Sequence, residues 1–101
     1  MDEKLISEIK IESKANLEKS LAETDSQNLT QMPLLVLVHE YVTKPIQRIY
    51  NREEYMQTIS ISPGSPAWKD LMIDFAVGEI IISKAKMARA YEELRRRQLN
   101  F

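Results

Sequence analysis

The sequence predicts a mainly α-helical fold, a small helical bundle built around one long C-terminal helix over about residues 66–98. Two observations carry this prediction. The 101 residues include only two glycines and four prolines, whereas an all-β fold needs a turn signal roughly every 8–12 residues. The stretch after Pro66 contains no further proline, and Gly78 is its only poor helix former. A chain of this length corresponds to one domain, so we treat residues 1–101 as a single unit.

The first predicted helix covers about residues 1–23 and carries only a narrow apolar stripe. It has many good helix formers and no glycine or proline. Its stripe consists of Ile6, Ile9, Leu17 and Leu21, with Ser13 in the gap. Such a stripe buries little surface by itself, so this helix must dock on another element or remain mobile. The polar run 24–31 predicts a loop.

The second predicted segment, residues 33–57, is helical with a kink near Pro45. Pro33 suits a first helical turn, where its missing N–H costs nothing. Pro45 disturbs the helix because its ring clashes with the preceding turn. Residues 34–42 are almost all apolar and rich in valine, so a buried strand is the alternative there. Residues 57–64 alternate briefly, end in a Pro-Gly turn signal and predict a connector, with a short strand at 57–61 as the alternative.

The start of the long helix has the clearest local signal in the chain. Ser65 is a favoured N-cap residue, and Pro66 suits the first helical position. Asp70 lies near the positive end of the helix dipole. A helix of about 33 residues would span roughly 50 Å, which is long for a compact domain of this size.

An apolar seam runs along the predicted long helix with alternating spacings of four and three residues. Its members are Ile73, Val77, Ile80, Lys84, Met87, Tyr91 and Leu94. This spacing is compatible with a heptad repeat, and a polar residue such as Lys84 can specify register or oligomeric state. We therefore predict that the seam is a partner or oligomer interface. The alternative is that the N-terminal helix covers it within the same chain.

The sequence shows no catalytic, cofactor-binding or metal-binding signature. It contains no cysteine and only one histidine, His39. His39-Glu40 resembles the start of HExxH, but Thr43 occupies the position of the second histidine, so the zinc motif fails. Asp70 and Asp74 share a helix face, yet the further acidic and histidine ligands of a metal-binding bundle are missing. We predict that the protein is not an enzyme and has no cofactor.

Basic residues concentrate near the C-terminal end of the long helix. They are Lys86, Arg89, Arg95, Arg96 and Arg97, candidates for contact with nucleic acid or an acidic partner. Basic side chains also stabilise a helix C-terminus through its dipole, which is a sufficient structural reason for them. The sequence has no signal peptide, and its apolar runs are too short to span a bilayer. These features predict a cytoplasmic protein without a membrane segment.

The sequence thus favours a helical adaptor or accessory regulator, of viral or bacterial type, that homo-oligomerises and binds a larger protein. The reasons are its size, the surplus of apolar helix surface and the lack of catalytic groups. The alternative is a nucleic-acid-associated accessory factor that uses the basic helix end.

Overall fold

The computed structural model describes residues 3–99 and confirms the mainly α-helical fold. Its elements are helix α1 (Glu3–Ser26), the short helix α2 (Leu34–Val38), a π-helical turn (His39–Thr43), helix α3 (Lys44–Ile61) and the long helix α4 (Pro66–Arg96). No strand occurs among these residues. The strand alternatives at 34–42 and 57–61 are therefore wrong. The predicted beginning of the first helix, at Met1 and Asp2, lies outside the described residues.

Helix α1 extends three residues further than predicted, to Ser26, because local side chains satisfy the carbonyls of its last turns. The Thr24 hydroxyl donates to the carbonyl of Ser20 at 2.9 Å, and the Ser26 hydroxyl donates to that of Glu23 at 3.0 Å. Hydroxyls that bond back into the preceding turn are compatible with helix. The loop between α1 and α2 is correspondingly shorter than the sequence indicated.

The segment from Leu34 to Ile61 is helical throughout, and Pro45 does not interrupt it. The π-helical turn ends at Thr43, and Pro45 lies in the first turn of α3. In a π-helix the hydrogen bonds span five residues instead of four. This pattern suits a proline, which has no N–H to donate to the carbonyl four residues earlier. The position of the predicted kink, near Pro45, thus coincides with a local change of helix type.

Residues 57–61 form the last turns of α3 and are not a connector. The hydroxyls of Thr58, Ser60 and Ser62 donate to carbonyls four residues earlier, at 3.1, 2.8 and 2.6 Å. These bonds keep the polar positions inside the helix, so the alternation of polar and apolar residues does not produce a strand.

The predicted start of α4 is confirmed. Ser65 is the N-cap, its hydroxyl oxygen accepts the backbone N–H of Trp68 at 3.3 Å, and Pro66 is the first helical residue. Gly64 precedes the cap with a φ of 143°, a conformation that L side chains rarely adopt. Gly64, Ser65 and Pro66 therefore fix the turn between α3 and α4.

Helix α4 ends in a Schellman motif after Arg96. Gln98 has a φ of 63°, and its N–H donates to the carbonyl of Arg95 at 2.9 Å. The N–H of Leu99 donates to the carbonyl of Leu94 at 2.8 Å. This pair of bonds satisfies carbonyls that the helix itself leaves free.

Helix α4 packs between α1 and α3 in a flat arrangement. Leu17 of α1 lies against Gly78, and Asp25 at the end of α1 lies against Arg89, so α1 and α4 run parallel. Helix α3 runs antiparallel to α4, because the tight turn between Ile61 and Pro66 joins the two helices. The Cα atoms extend 51 × 26 × 15 Å with a radius of gyration of 16.4 Å, against roughly 13 Å for a compact chain of this length.

The main hydrophobic core lies at one end of this slab. There the loop after α1, helix α2 and the π-helical turn meet the last turns of α4. The buried members of this core are Leu29, Leu37, Val42, Ala90 and Leu94. Within residues 3–99, no helix is both long and apolar enough to cross a membrane.

Candidate interaction surfaces

Three arginines at the C-terminal end of α4 bind the end of α1 and the loop that follows it, and a glutamate binds two of these arginines; we call these four residues the loop clamp. They are Arg89, Glu93, Arg96 and Arg97. The Nη2 atom of Arg97 lies 2.9 Å from the carbonyl oxygen of Leu29 and 2.7 Å from that of Met32. Hydrogen bonds from a charged donor are among the stronger ones in proteins. The clamp thereby holds the loop over the main core.

Glu93 orients two of these arginines from a buried position. Its carboxylate accepts from Arg96 Nε at 2.7 Å and Arg96 Nη2 at 2.8 Å, and from Arg97 Nε at 2.7 Å. The pKa of Glu93 is lowered to about 2, mainly by its hydrogen bonds from Arg96 and further by the hydrogen bond from Arg97. Burial of the carboxylate acts in the opposite direction and raises the pKa. Glu93 is therefore a charged structural group at neutral pH.

Arg89 completes the clamp at the end of α1. Its Nη1 atom donates to the carbonyl of Asp25 at 2.8 Å, and its Nη2 atom donates to the carbonyl of Gln27. These carbonyls lie at the C-terminal end of α1, where helix carbonyls lack partners and the dipole is negative. Among residues 3–99, no ion pair joins a carboxylate of α1 to a base of α4. The basic end of α4 thus binds backbone oxygens of the chain itself.

The predicted nucleic-acid contact residues fall into two groups in the structure. Arg89, Arg96 and Arg97 are engaged in the clamp, so a phosphate would have to compete with internal carbonyls and Glu93. Arg95 is exposed, and Lys86 is half-buried beside the π-helical turn. Lys86 and Arg95 lie on opposite sides of α4, since nine residues correspond to a rotation of roughly 180°, and of these two only Arg95 lies on the same side as Tyr91. Within residues 3–99, these two basic residues therefore do not form one patch.

A continuous line of exposed residues runs along the outer side of α4, and we call it the open face. Its members are Asp70, Asp74, Val77, Ile81, Lys84, Ala88, Tyr91 and Arg95, all exposed. Val77, Ile81 and Tyr91 retain 37, 40 and 37% of their accessible surface. At 3.6 residues per turn, the eight side chains fall within an arc of roughly 100°. The open face is therefore one narrow surface along most of α4.

Neither α1 nor α3 covers the open face. Helix α1 packs on the side of Gly78, where an added Cβ would lie 4.0 Å from Leu17 Cδ1. Helix α3 packs on the side of Glu79, which pairs with Arg52 and lies 3.7 Å from Arg48. The centre of the open face lies roughly 90° around the helix from Gly78 and roughly 170° from Glu79. Helix α1 therefore leaves this side of α4 exposed.

The seam predicted from the sequence overlaps the open face but is rotated toward the core. Val77, Lys84 and Tyr91 belong to both sets. The other four members of the predicted seam are partly or fully covered within the chain: Ile73, Ile80 and Met87 are half-buried, and Leu94 is buried. Leu94 retains only 1% of its accessible surface, because it contacts the main core. Leu94 therefore stabilises the single chain and is not accessible to a partner.

A shallow groove of about 330 Å³ lies between α1 and α4, next to the open face. Leu17, Leu71, Phe75 and Gly78 form part of its lining, and Lys10 and Lys14 stand at its rim. The groove exists because α1 contributes only a thin apolar stripe, as its sequence predicted. Val77 and Ile81 belong both to this groove and to the open face, so the two surfaces are continuous.

Further large apolar side chains are exposed away from α4. Leu34, Leu35 and Val36 form an exposed run at the start of α2, where Leu35 retains 81% of its surface. On α3, Tyr50 and Ile61 are also exposed. Scattered apolar residues are normal on a protein surface, but a contiguous run is typical of an interaction site.

The candidate chemical residues of the sequence do not form a site. His39, Asp70 and Asp74 are all exposed. Across the described part of the chain, no group of three or more histidine, aspartate or glutamate side chains is placed to hold a metal ion. Comparison with protein families, with curated proteins and with solved structures found no match for this chain. The surfaces described above are therefore the basis for a functional proposal.

Proposed function

We propose that this chain is a non-enzymatic adaptor that homo-oligomerises and binds a larger protein partner. The supporting observation is the apolar surface that a single copy leaves uncovered. Eight hydrophobic residues are buried in residues 3–99, whereas twelve large hydrophobic residues are exposed. The thinnest dimension, 15 Å between Cα atoms, corresponds to only about two packed helix layers, and so thin a structure has little interior.

The open face is the surface that we assign to self-association. It is long and narrow, and apart from Lys84 its middle is apolar, which is the form of a helix–helix interface. The exposed run Leu34–Val36 lies on a different helix and is the surface that we assign to the larger partner. Because the chain lacks cysteine, a reducing compartment such as the cytoplasm suits it.

The molar mass of the purified protein tests the self-association. We expect light scattering coupled to size exclusion to give a mass above that of one chain, rising with concentration. Tyr91→Asp should lower the mass while circular dichroism still reports a folded protein, because Tyr91 is exposed on the open face. A matched control is Ile11→Asp, which places the same charge on an exposed apolar residue of α1.

Two results would contradict the proposal. One is a strictly monomeric wild-type protein up to high micromolar concentration. The other is an equal loss of mass in Tyr91→Asp and Ile11→Asp, because the association would then depend on general hydrophobicity instead of the open face.

A further inference from the structure

The open face has a strict heptad spacing. Its eight residues follow one another at intervals of four and three, from Asp70 to Arg95. Residues with this spacing occupy the a and d positions of a coiled coil, where each side chain fits between residues of the facing helix. The surface is therefore suited to one particular occupant, another straight helix with the same period.

The charges of the open face identify that helix. Its two acidic residues, Asp70 and Asp74, lie at the N-terminal end, and Arg95 lies at the C-terminal end. None of these three makes an ion pair within residues 3–99. A second copy of the same face that runs in the opposite direction presents the complementary charge at each end. A copy that runs in the same direction places like charges together.

We propose that two copies of α4 pair antiparallel through their open faces, about a two-fold axis that passes between Ile81 and Lys84. This proposal rests on the proposed function and specifies its first partner as a second copy of the chain. In this register Asp70 faces Arg95 of the second copy. The layers that follow pair Asp74 with Tyr91, Val77 with Ala88, and Ile81 with Lys84.

Each of these layers joins chemically suitable side chains. Arg95 donates to the Asp70 carboxylate as a charge-assisted pair, and the Tyr91 hydroxyl donates to Asp74. The small Ala88 lets the helices approach at Val77. The aliphatic part of Lys84 covers Ile81 of the second copy, while its ammonium group reaches solvent.

Shifting the register by one heptad loses these pairings. One shift places Val77 against Arg95 and leaves both aspartates without a facing residue. The opposite shift leaves Tyr91 and Arg95 unpaired. The antiparallel register with Asp70 against Arg95 is thus the one that uses all eight residues of the open face.

Distances between spin labels test the orientation directly. The chain has no cysteine, so Ala67→Cys and Glu92→Cys each introduce one labelling site, exposed and beside the open face. In the proposed dimer the two copies of position 92 lie roughly 30 Å apart along the axis, and those of position 67 roughly 45 Å apart. A parallel dimer keeps both pairs within roughly 10–15 Å.

A charge exchange tests the register. We expect Asp70→Arg alone to raise the dimer dissociation constant about tenfold, since two favourable pairs become repulsive. Arg95→Asp alone should act similarly, and the double variant D70R/R95D should recover most of the loss. Glu53→Arg, an exposed charge change on α3 and outside the open face, is the control. Circular dichroism verifies that each variant remains helical.

The outcomes separate the inference from the proposed function. A monomeric wild-type protein contradicts both. An oligomer with short distances at both label positions, or with charge variants that do not rescue each other, overturns the antiparallel pairing but leaves self-association intact. Long label distances together with mutual rescue support the pairing.

Discussion

Two sides of the C-terminal half of α4 differ in how they use their residues. The side that faces the loop contains Ala90 and Leu94 in the core, together with the loop clamp, and every polar group named there has a partner within the chain. The opposite side contains Ala88, Tyr91 and Arg95, which are exposed. Similar residue types thus stabilise the monomer on one side and remain available for association on the other.

This difference shows that the angular position of a residue around the helix determines its role more than the residue type does. Leu94 and Tyr91 are both large and three positions apart, yet only one is buried. Arg95 and Arg96 are neighbours, yet only Arg96 binds Glu93. A rotation of 100° separates adjacent residues on a helix, which is enough to move a side chain from the core to solvent.

The largest expected effect compares two leucines of α2. Leu37 retains 0% of its accessible surface and Leu35 retains 81%. Leu37→Ala should lower the free energy of unfolding by about 2–5 kcal/mol, because it leaves a cavity in the main core. Leu35→Ala should change it by less than about 0.5 kcal/mol. Urea denaturation measures both, and equal losses would mean that the α2 packing differs from that described.

A smaller effect compares two arginines of α4. Arg97→Gln should lower the free energy of unfolding by roughly 1.5–3 kcal/mol, because it removes charged hydrogen bonds to Leu29, Met32 and Glu93. Arg95→Gln serves as the matched control and should leave monomer stability nearly unchanged. If Arg95→Gln costs as much as Arg97→Gln, the stabilising role of the clamp would be refuted.

A third comparison concerns the charge of Glu93, whose contribution to stability changes only in acid. Its pKa in the folded protein is lowered to about 2, mainly by Arg96. A carboxyl whose folded pKa is depressed contributes its stability above the unfolded pKa and loses it as pH falls through the folded value. Acid titration should therefore show this contribution intact above about pH 5 and decreasing toward pH 2.

Glu93→Gln should remove this part of the acid dependence, because glutamine does not titrate. Glu53→Gln is the control, since Glu53 is exposed and makes no ion pair within residues 3–99. Identical acid profiles for the wild type and Glu93→Gln would show that the Glu93 charge does not contribute to the clamp.

Local chemistry explains which parts of the fold the sequence predicted well. The start of α4 was predicted correctly because Ser65 and Pro66 act within one helical turn. The thin stripe of α1 was also predicted, since Ile6 is buried and Leu17 and Leu21 are half-buried. The strand alternative at 57–61 failed because hydroxyls such as that of Ser60 bond within the helix, which residue propensities do not represent.

The surfaces were harder to predict because they depend on distant contacts. The role of Arg97 was missed, since its acceptors Leu29 and Met32 lie 68 and 65 residues earlier in the chain. The predicted seam includes four residues that the chain itself partly or fully covers, because in the sequence Ile73 and Ile80 are as apolar as the exposed Val77 and Ile81. Which phase is covered follows from where α1 and α3 dock, and no short pattern encodes that.

The separation between Arg97 and its acceptors also has a kinetic consequence. Helices α3 and α4 are joined by a four-residue turn, so their hairpin closes a short loop and can form early. The clamp must close a loop of more than 60 residues, which costs more chain entropy. We therefore expect helix α1 to join the hairpin in a late step, before which Leu29 would not cover the end of the core. An intermediate with α1 detached would still display the open face, so two chains could meet before either has finished folding.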